Sequence, residues 1–208
     1  MLKELLERYP ALSCCQTEIE QARDCLIACY AAGGKLLLCG NGGSCADCDH
    51  IAGELMKGFL KKRPLSDELK AAMRQNCPLA DETLLGKLQG ALPAIPLPAF
   101  TALNSAFCND VDPELLYAQP LMSLADSRDV LLAISTSGNS KNVVGAAKVA
   151  KALGMTVIGL TGASGGKLRE IADIAIIAPE QETFKIQELH LPIYHYLCAA
   201  VEEHFFPE

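Results

Sequence analysis

Five short apolar segments alternate with longer segments of helical spacing along the chain. The apolar segments are Lys35–Gly40, Ala94–Leu97, Val130–Thr136, Thr156–Gly162 and Ile174–Pro179. Their apolar residues run continuously instead of alternating with polar ones, as in strands that are covered on both faces. The helical segments between them are Ser44–Phe59, Ser140–Leu153 and a short stretch around Lys167–Ile171. This alternation predicts an α/β fold with right-handed crossovers, a three-layer α/β/α sandwich around a parallel sheet.

Proline residues in the second apolar segment indicate where its strand lies in the sheet. Pro93 and Pro96 cannot donate backbone hydrogen bonds, and Pro98 follows closely. Such a strand is tolerated at an edge but not in the interior of a sheet. We therefore predict that Ala94–Leu97 is an edge strand.

Helical patterns also occupy both ends of the chain. The first 33 residues are predicted to be helices, the longer of which starts near Ser13 and ends at Gly33–Gly34. A further helical pattern runs from Glu182 to about Phe205. Terminal helices of this kind either complete the monomer or pack against a second subunit, and we favour a homo-oligomer.

One interval, Leu65–Ala91, does not fit the alternation. Ser66 and Asp81 each stand where an N-cap residue precedes a short helix, and Asn76-Cys77-Pro78 separates the two helices. We predict a helical insertion that either forms a lid or subunit contacts, or is a solvated surface excursion. The length of 208 residues suits one domain, so residues 1–208 are predicted to form a single domain that includes the insertion.

Composition and charge exclude several classes of protein. Half of the residues are hydrophobic and the formal net charge is −7, which argues against binding nucleic acid or anionic lipid through bulk positive charge. No apolar run reaches the ~18–20 residues of a membrane span. The N-terminal MLKELLERYP is charged where a secretory signal would be apolar. We therefore expect a cytoplasmic protein whose ten cysteines are reduced, with the C-x-x-C of Cys45 and Cys48 structural rather than reactive.

A glycine-rich turn follows the first predicted strand and opens a helix. In Gly40–Ser44 (GNGGS) the glycines let the backbone approach a ligand and adopt positive φ. Unpaired N–H groups and the positive end of the helix favour an anion there. Ser44 is expected to cap the helix, with Asp47 as its capping-box partner. A tight turn without a ligand would use similar residues, so this motif alone does not establish a phosphate site.

A second loop also connects the end of a strand to the start of a helix, and it favours a phosphate site more strongly. The segment Ser135-Thr136-Ser137-Gly138-Asn139-Ser140 ends one strand and precedes a helix, and all but its glycine carry a hydroxyl or amide. Phosphate oxygens all accept hydrogen bonds, whereas a simple turn rarely needs so many hydroxyls. Ligands of doubly wound sheets bind outside the carboxyl ends of the strands, where both loops fall. Together the loops predict a phosphate site that needs no arginine cluster.

Candidate acid–base residues lie on two of the predicted helices. His50 and Glu54 are four residues apart, so they share one face of the helix that begins at the first loop. This pair suits metal binding or proton transfer, and its simplest alternative is a surface ion pair. On the C-terminal helix, periodicity places Gln187 about 80° and His190 about 140° from His195. The two histidines are therefore not expected to serve one site unless Pro192 kinks the helix.

The motifs GNGGS…H…E and ISTSGNS, followed by LTG..GG and IQE.H, resemble those of the sugar isomerase (SIS) domain family, and its phosphoheptose isomerase branch most closely. The resemblance spans about Lys35 to His204 without Leu65–Ala91. It implies a flavodoxin-like five-stranded parallel sheet with flanking N- and C-terminal helices. It also implies a homotetramer, or at least a homodimer, and a phosphorylated sugar bound across subunit boundaries.

The same resemblance assigns residues to roles. The phosphate would be held by Ser44, Ser135, Thr136, Ser137 and Ser140. The sugar site would include Asn41, Asp110 and Gln187. Some family members bind zinc, and the matching residues here are His50, Glu54, Gln187 and His195. We expect Glu54 as base and His195 as acid in a ketose–aldose isomerisation through an enediol, most specifically that of sedoheptulose 7-phosphate.

Two positions depart from the family pattern. Gly58 stands where an arginine commonly follows the catalytic glutamate, and Phe184 stands where an aspartate commonly precedes the glutamine. Lys57 is a candidate replacement for the arginine, although it lies on a different helix face. These departures bear on the heptose assignment more than on the isomerase class.

Two other functions fit the same motifs. The first is a non-catalytic SIS protein that binds a phosphosugar or associates with a replication initiator. Initiator-associating relatives lose the Glu and the second His, and this chain retains both as Glu54 and His195. The second is lactyl-ether cleavage of an amino-sugar phosphate, which we expect to require longer flanking segments.

Overall fold

The centre of the protein is one five-stranded sheet in a computed structural model that describes residues 1–207. The strands are β1 Leu36–Cys39, β2 Ala94–Pro96, β3 Val130–Ser135, β4 Thr156–Gly162 and β5 Ile174–Ala178. All of them pair in parallel, in the order β2-β1-β3-β4-β5. The predicted flavodoxin-like parallel sheet is confirmed, and its topological switch point lies between β1 and β3.

Helices connect the strands and cover both faces of the sheet. In residues 1–207 they are α1 Leu2–Arg8, α2 Gln16–Ala31, α3 Gly43–Met56, α4 Asp67–Asn76, α5 Glu82–Lys87, α6 Thr101–Asp110, α7 Ala118–Leu124, α8 Lys141–Ala152, α9 Gly166–Ile171 and α10 Thr183–Phe205. Short 3-10 turns occupy Pro10–Cys15, Leu97–Ala99 and Pro113–Leu115. None of the helices in this part of the chain is both long enough and apolar enough to cross a membrane.

Strand side chains alternate between two apolar clusters, one on each face of the sheet. Leu36 and Leu38 belong to the cluster with α2, α3 and α10, whereas Leu37 and Cys39 belong to the cluster with α7, α8 and α9. Each cluster fills the interface between the sheet and one of the two helix layers of the three-layer sandwich. Since α3 and α10 pack over the same face of the sheet, side chains from the two helices can contact each other.

The edge position of β2 follows from its prolines. β2 has only three residues and pairs with β1 alone, with Leu36 opposite Ala94 and Leu38 opposite Pro96. The missing N–H of Pro96 is therefore tolerated, because β2 has no neighbour on its other side. The predicted edge strand is confirmed.

Other boundaries differ from the sequence predictions. α3 ends at Met56 and not at Phe59, and two helices, α6 and α7, were not predicted. α6 buries none of its residues.

The insertion is built around the two caps expected from the sequence. The Ser66 side chain accepts a hydrogen bond from Leu69 N at the start of α4, and Asp81 accepts one from Leu84 N at the start of α5. A bridge between Pro64 and Gln89 closes the base of the segment. The insertion is thus a pair of capped helices anchored next to the end of α3.

Candidate active site

The first loop, Gly40–Ser44, carries the chain from the carboxyl end of β1 into α3. Gly42 has φ +57° and is the N-cap residue of α3, two residues before the expected cap. The predicted cap by Ser44 is wrong, because Ser44 lies within the first turn and is buried. A Cβ at Gly40 would collide with the Ser44 backbone. The loop is therefore compact, and its helix end presents N–H groups without intrahelical partners.

The second loop, Ser135–Ser140, connects β3 to α8. The hydroxyls of Ser135 and Ser140 are 3.0 Å apart, so the first and last residues of the loop close on each other. Gly138 has φ +65°, and Asn139 N donates to the Ser137 hydroxyl. Ser135 is buried, whereas Ser137 and Asn139 are exposed. The loop therefore offers hydroxyls and the first N–H groups of α8 on one side of the sheet.

A third loop, Gly162–Gly166, packs against the second loop and is hydrogen-bonded to it. Gly162 N donates to Thr136 O, and Leu168 N donates to Gly138 O. A Cβ at Gly138 would collide with the Gly165 carbonyl, which explains the glycine at that position. Sequence analysis grouped LTG..GG with the family motifs, and the structure assigns it this packing role.

Two side chains join the first and second loops directly. Asn41 and Asn142 exchange two amide hydrogen bonds of 2.9 Å each, one in each direction. The Tyr117 hydroxyl lies 2.7 Å from Gly40 O and 3.1 Å from Asn41 Oδ1. Sequence reasoning identified Asn41 but missed Tyr117 and Asn142, since neither belongs to a loop motif.

The catalytic candidates meet where α3 and α10 pack together. His50 Nε2 is 3.3 Å from Glu54 Oε1, and His195 Nε2 is 3.4 Å from His50 Nε2. We call His50, Glu54 and His195 the imidazole–carboxylate cluster. The His50 side chain is 43% exposed and Glu54 is 14% exposed, so the cluster opens to the surface at one side. Two residues on α3 and one on α10 are thereby brought together.

The surroundings of His195 favour its neutral form. Burial lowers the pKa of His195, the neighbouring His50 lowers it further, and Glu54 opposes both effects. His190, five residues before it, is fully buried and bonds through Nε2 to Thr161 O at 3.1 Å. Burial lowers the pKa of His190 to about 4. The structure therefore separates the two histidines, His195 in the cluster and His190 in the core.

Gln187 lies apart from the imidazole–carboxylate cluster within the protomer. A Cβ at Gly43 would come within 2.5 Å of the Gln187 amide nitrogen, so this side chain packs on the first turn of α3. Gly43 precedes His50 by seven residues, which is about 10 Å along a helix axis. Gln187 thus lies beside the first loop.

Within residues 1–207, no hydrogen bond or ion pair joins the Asp110 side chain to the loops or the cluster. Asp110 is the last residue of α6, is exposed, and accepts a hydrogen bond from Asn109 Nδ2. Phe184 is also exposed, at 56%. Lys57 does reach the site, because its Nζ is 3.3 Å from Glu54 Oε2. Lys57 thus places a positive charge beside Glu54, although Gly58 lacks the charge of the arginine that is common at its position in the family.

A hydrogen-bonded chain stands behind His50. The Tyr194 hydroxyl donates to Asp47 Oδ1 at 3.1 Å and lies 3.0 Å from His50 Nδ1. Burial raises the pKa of Asp47, partly offset by the hydrogen bond from Tyr194. Tyr194 is buried, and its ring meets His50 edge-on. Asp47 therefore acts across the helix interface and not as the capping-box partner expected from the sequence.

A buried ion pair fixes the end of α3 that carries Glu54. Arg63 and Glu202 are both 1% exposed, and Arg63 Nε lies 2.7 Å from Glu202 Oε1. Arg63 also donates to the carbonyls of Leu55 and Glu54, which have no partners within the helix. Glu202 accepts hydrogen bonds from three consecutive backbone amides, those of Phe59, Leu60 and Lys61. The pair ties α10, the following loop and the end of α3 together.

The donor set of the cluster suits zinc in its chemistry. Tetrahedral zinc bonds of about 2.0–2.1 Å place ligand atoms about 3.3–3.4 Å apart, and the two distances to His50 Nε2 match that spacing. However, no complete group of three or more His, Cys, Asp and Glu ligands is arranged for a metal within residues 1–207. The cluster thus has suitable donor atoms, and metal binding would require side-chain adjustment.

The cysteines do not add a reactive centre. All ten are free thiols, and burial raises the pKa of both Cys45 and Cys48. A lowered thiol pKa at the start of α3, the reactive alternative, is therefore not found. These residues fit the structural interpretation of the C-x-x-C.

Comparison with known proteins gives the family. A family model described as SIS domain matches residues 3–95 and 91–162. A phosphoheptose isomerase of Burkholderia pseudomallei (strain 1710b) is 38% identical over 188 residues, which are 90% of this chain and 82% of the relative. One of Helicobacter pylori (strain P12) is 36% identical over 203 residues, 98% of this chain and 91% of the relative.

A solved structure agrees with the sequence comparison. The phosphoheptose isomerase from Neisseria gonorrhoeae matches with a TM-score of 0.76 and 30% identity, covering 97% of this chain and 94% of that one. The similarity thus extends over nearly the whole chain and includes both loops and both helices of the cluster. The chain belongs to the SIS domain family, in its phosphoheptose isomerase-like branch.

Proposed function

We propose that the chain is a phosphoheptose isomerase that interconverts sedoheptulose 7-phosphate and an aldoheptose 7-phosphate. One observation carries the proposal: the two phosphate loops are clamped together by Asn41 and Asn142, and the helix that starts at the first loop carries Glu54 beside His195. The relatives at 36–38% identity that bear the name phosphoheptose isomerase support it.

The phosphate is bound by the ends of the two loops. Ser44, Ser135, Thr136, Ser137 and Ser140 supply hydroxyls, and the first turns of α3 and α8 supply N–H groups. These neutral donors hold an anion in a protein of net charge −7. Asn41, Gln187 and Asp110 are proposed for the sugar, and Asp110 would have to act in another subunit or after movement of α6.

Proton transfer is assigned to Glu54 and His195. The Glu54 carboxylate removes the proton from C1, next to the C2 ketone, and returns it to C2. His195, whose pKa is lowered by burial, donates a proton to O2 and accepts the proton of the O1 hydroxyl. The intermediate is an enediol, and no external oxidant or reductant is consumed because C1 and C2 exchange oxidation states.

Zinc is proposed as a cofactor of this site. His50, Glu54 and His195 would hold it; Gln187, the further ligand suggested by the family resemblance, lies beside the first loop and would have to come from another subunit. Bound zinc would polarise the substrate carbonyl and stabilise negative charge on its oxygen.

A homo-oligomer, a homotetramer or homodimer, is proposed to complete the site. A groove of about 340 Å³ lies between α1 and α10 and is lined by His195 itself. Leu60, 67% exposed, and Leu191, 40% exposed, also line it. Exposed leucines beside a catalytic residue suit a subunit contact. We further propose that the enzyme acts in the cytoplasm.

The decisive experiment measures turnover with the purified protein. Sedoheptulose 7-phosphate is incubated with the protein in the presence of zinc or of a chelator, and aldose product is followed by ¹H NMR. We expect product, and incorporation of solvent deuterium at C1 or C2 through the enediol. Absence of product under both conditions from a folded protein would refute the assignment. Binding of the sugar phosphate without turnover would instead favour the non-catalytic SIS protein.

A further inference from the structure

Asp47, Tyr194 and His50 form a short chain of hydrogen bonds that the reaction does not use directly. The Tyr194 hydroxyl lies 3.1 Å from Asp47 Oδ1 and 3.0 Å from His50 Nδ1. Asp47 and His50 are on α3, whereas Tyr194 is on α10 and is 1% exposed. The chain therefore crosses the helix interface next to the imidazole–carboxylate cluster.

Counting protons along this chain determines the state of the imidazole. A tyrosine hydroxyl has one proton, and it is directed to Asp47, whose carboxylate can only accept. The hydroxyl oxygen can then only accept from His50 Nδ1. A neutral His50 must therefore carry its proton on Nδ1, which leaves a lone pair on Nε2.

The lone pair on Nε2 points into the cluster. Glu54 Oε1 is 3.3 Å and His195 Nε2 is 3.4 Å from this nitrogen. If His50 took the other tautomer, which an isolated imidazole side chain prefers, its Nε2–H would donate to Glu54. That hydrogen bond would weaken the base and remove the electron pair from the site.

We propose that Asp47 and Tyr194 are positioning residues that hold His50 in its Nδ1–H tautomer, so that Nε2 offers an electron pair at the reaction centre. The acceptor of that pair is a divalent cation or a hydroxyl proton of the sugar. The role in turnover rests on the proposed isomerase function, whereas the tautomer itself does not. A partner of this kind behind a metal-binding histidine fixes the ring and raises its basicity.

Two substitutions break the chain in different ways. Tyr194→Phe removes only the hydroxyl and keeps the buried ring. Asp47→Ala frees the Tyr194 proton to point towards Nδ1, which reverses the tautomer. Tyr196→Phe is the matched control on α10, because the Tyr196 hydroxyl pairs with Arg23 and not with His50. Asp49→Ala is the matched control on α3, since Asp49 is exposed.

The direct measurement is the ¹⁵N NMR spectrum of the histidine side chains in chelator-treated protein. It is recorded at about pH 8, above the ordinary histidine pKa of about 6.5, and His50 is assigned with His50→Gln. We expect a protonated Nδ1 in the wild type and both controls, and an Nε2–H form or mixture in Tyr194→Phe and Asp47→Ala. An Nε2–H or doubly protonated His50 in the wild type, or no change in either variant, would overturn the proposal.

Kinetics and zinc binding give the second measurement. Tyr194→Phe is expected to lower kcat about 10–100-fold with little change in KM, as for other partners of metal-binding histidines. A loss of similar size in zinc affinity, measured by competition with a chromogenic chelator, identifies the cation as the acceptor. Unchanged zinc affinity with lowered kcat identifies the sugar hydroxyl. Unchanged kcat and zinc affinity would refute the positioning role.

The two proposals fail in different ways. A wild type that has the Nδ1–H tautomer but turns over no heptose phosphate would refute the proposed function and leave the tautomer assignment intact. If Tyr194→Phe does not fold, as judged by circular dichroism, Asp47→Ala tests the same chain from its half-buried end.

Discussion

The phosphate loops and the imidazole–carboxylate cluster are stabilised in different ways. The loops are local: their hydroxyls, glycines and helix starts are consecutive in sequence, and backbone groups such as Gly162 N and Leu168 N hold them. The cluster is assembled from α3 and α10, and residues distant in sequence such as Tyr194 and Glu202 fix it. The proposed phosphate binding therefore depends on local backbone geometry, whereas the proposed proton transfer depends on how two helices are packed.

The largest expected effect separates the two regions by kinetics. Glu54→Gln removes the base and leaves both loops intact, so kcat should fall about 10²–10⁴-fold, the usual contribution of general acid–base catalysis. KM should change little. Steady-state kinetics on sedoheptulose 7-phosphate tests this split, with Ser137→Ala as the counterpart that raises KM and leaves kcat. Full turnover by Glu54→Gln would show that another residue is the base.

The next largest effect is a loss in the free energy of unfolding when the buried pair of Arg63 and Glu202 is broken. Arg63→Met leaves the buried Glu202 carboxylate without its counter-ion, a loss that typically costs about 3–5 kcal/mol. The Glu54 carbonyl also loses the hydrogen bond from Arg63, whereas the Leu55 carbonyl keeps the one from Leu92 N. Urea unfolding measures the loss. Arg128→Met, which breaks an exposed pair with Asp126, should leave the urea midpoint nearly unchanged because water screens exposed pairs, and equal losses for the two variants would contradict the role given to Arg63.

A smaller effect, on KM, is expected when the bridge between the loops, the pair of hydrogen bonds between Asn41 and Asn142, is broken. Asn142→Asp replaces an amide donor by a carboxylate that faces Asn41 Oδ1 and the phosphate. KM should rise about 10–100-fold, equivalent to about 1–3 kcal/mol for a lost hydrogen bond and an unpaired partner. Inorganic phosphate should also compete less well as an inhibitor. Asn76→Asp at the end of α4 is the surface control, and a matching rise in KM there would argue against the bridge.

The smallest effect is a dependence of stability on pH. Burial alone would raise the pKa of Glu202, but hydrogen bonds from Phe59, Leu60 and Arg63 outweigh it and lower the pKa below 4.5. A lowered pKa in the folded state means that Glu202 stabilises the protein fully above its unfolded value, and that this contribution is lost as the pH falls through the folded value. Urea midpoints should therefore drop below about pH 4.5.

The control for this pH dependence uses the neighbouring glutamate. Glu202→Gln should be less stable at neutral pH and should show a shallower acid loss than the wild type. Glu203→Gln, which alters an exposed carboxylate, should keep the wild-type profile. Identical profiles for wild type and Glu202→Gln would show that other carboxylates determine acid stability.

The sequence predicted those parts of the molecule that depend on neighbours along the chain. The parallel sheet, the edge strand β2 and the helices capped by Ser66 and Asp81 all follow from local patterns, and the structure confirms them. The start of α3 was misjudged because Gly42, at positive φ, can serve as N-cap without a side chain. A serine two residues later gave a stronger but incorrect signal.

The residues that sequence analysis missed depend on contacts across long separations. Asn142 is recognised only through Asn41, and Tyr194 only through His50 and Asp47. In sequence, Tyr194 is one apolar position in a buried helix, and Arg63 is part of a basic run, Lys61-Lys62-Arg63, that suggests a solvated turn. Only the packing of α3 against α10 shows that Arg63 is buried.

The paired amides of Asn41 and Asn142 also determine which polarity of ligand can enter between the loops. Asn142 Oδ1 accepts hydrogen bonds from Asn41 Nδ2 and Val143 N. Asn41 Oδ1 accepts one from Asn142 Nδ2 and lies 3.1 Å from the Tyr117 hydroxyl, whose single proton is closer to Gly40 O. Each amide nitrogen retains one unused proton. The paired amides therefore offer one spare N–H on each side, which favours a ligand oxygen atom over an ammonium group between the loops.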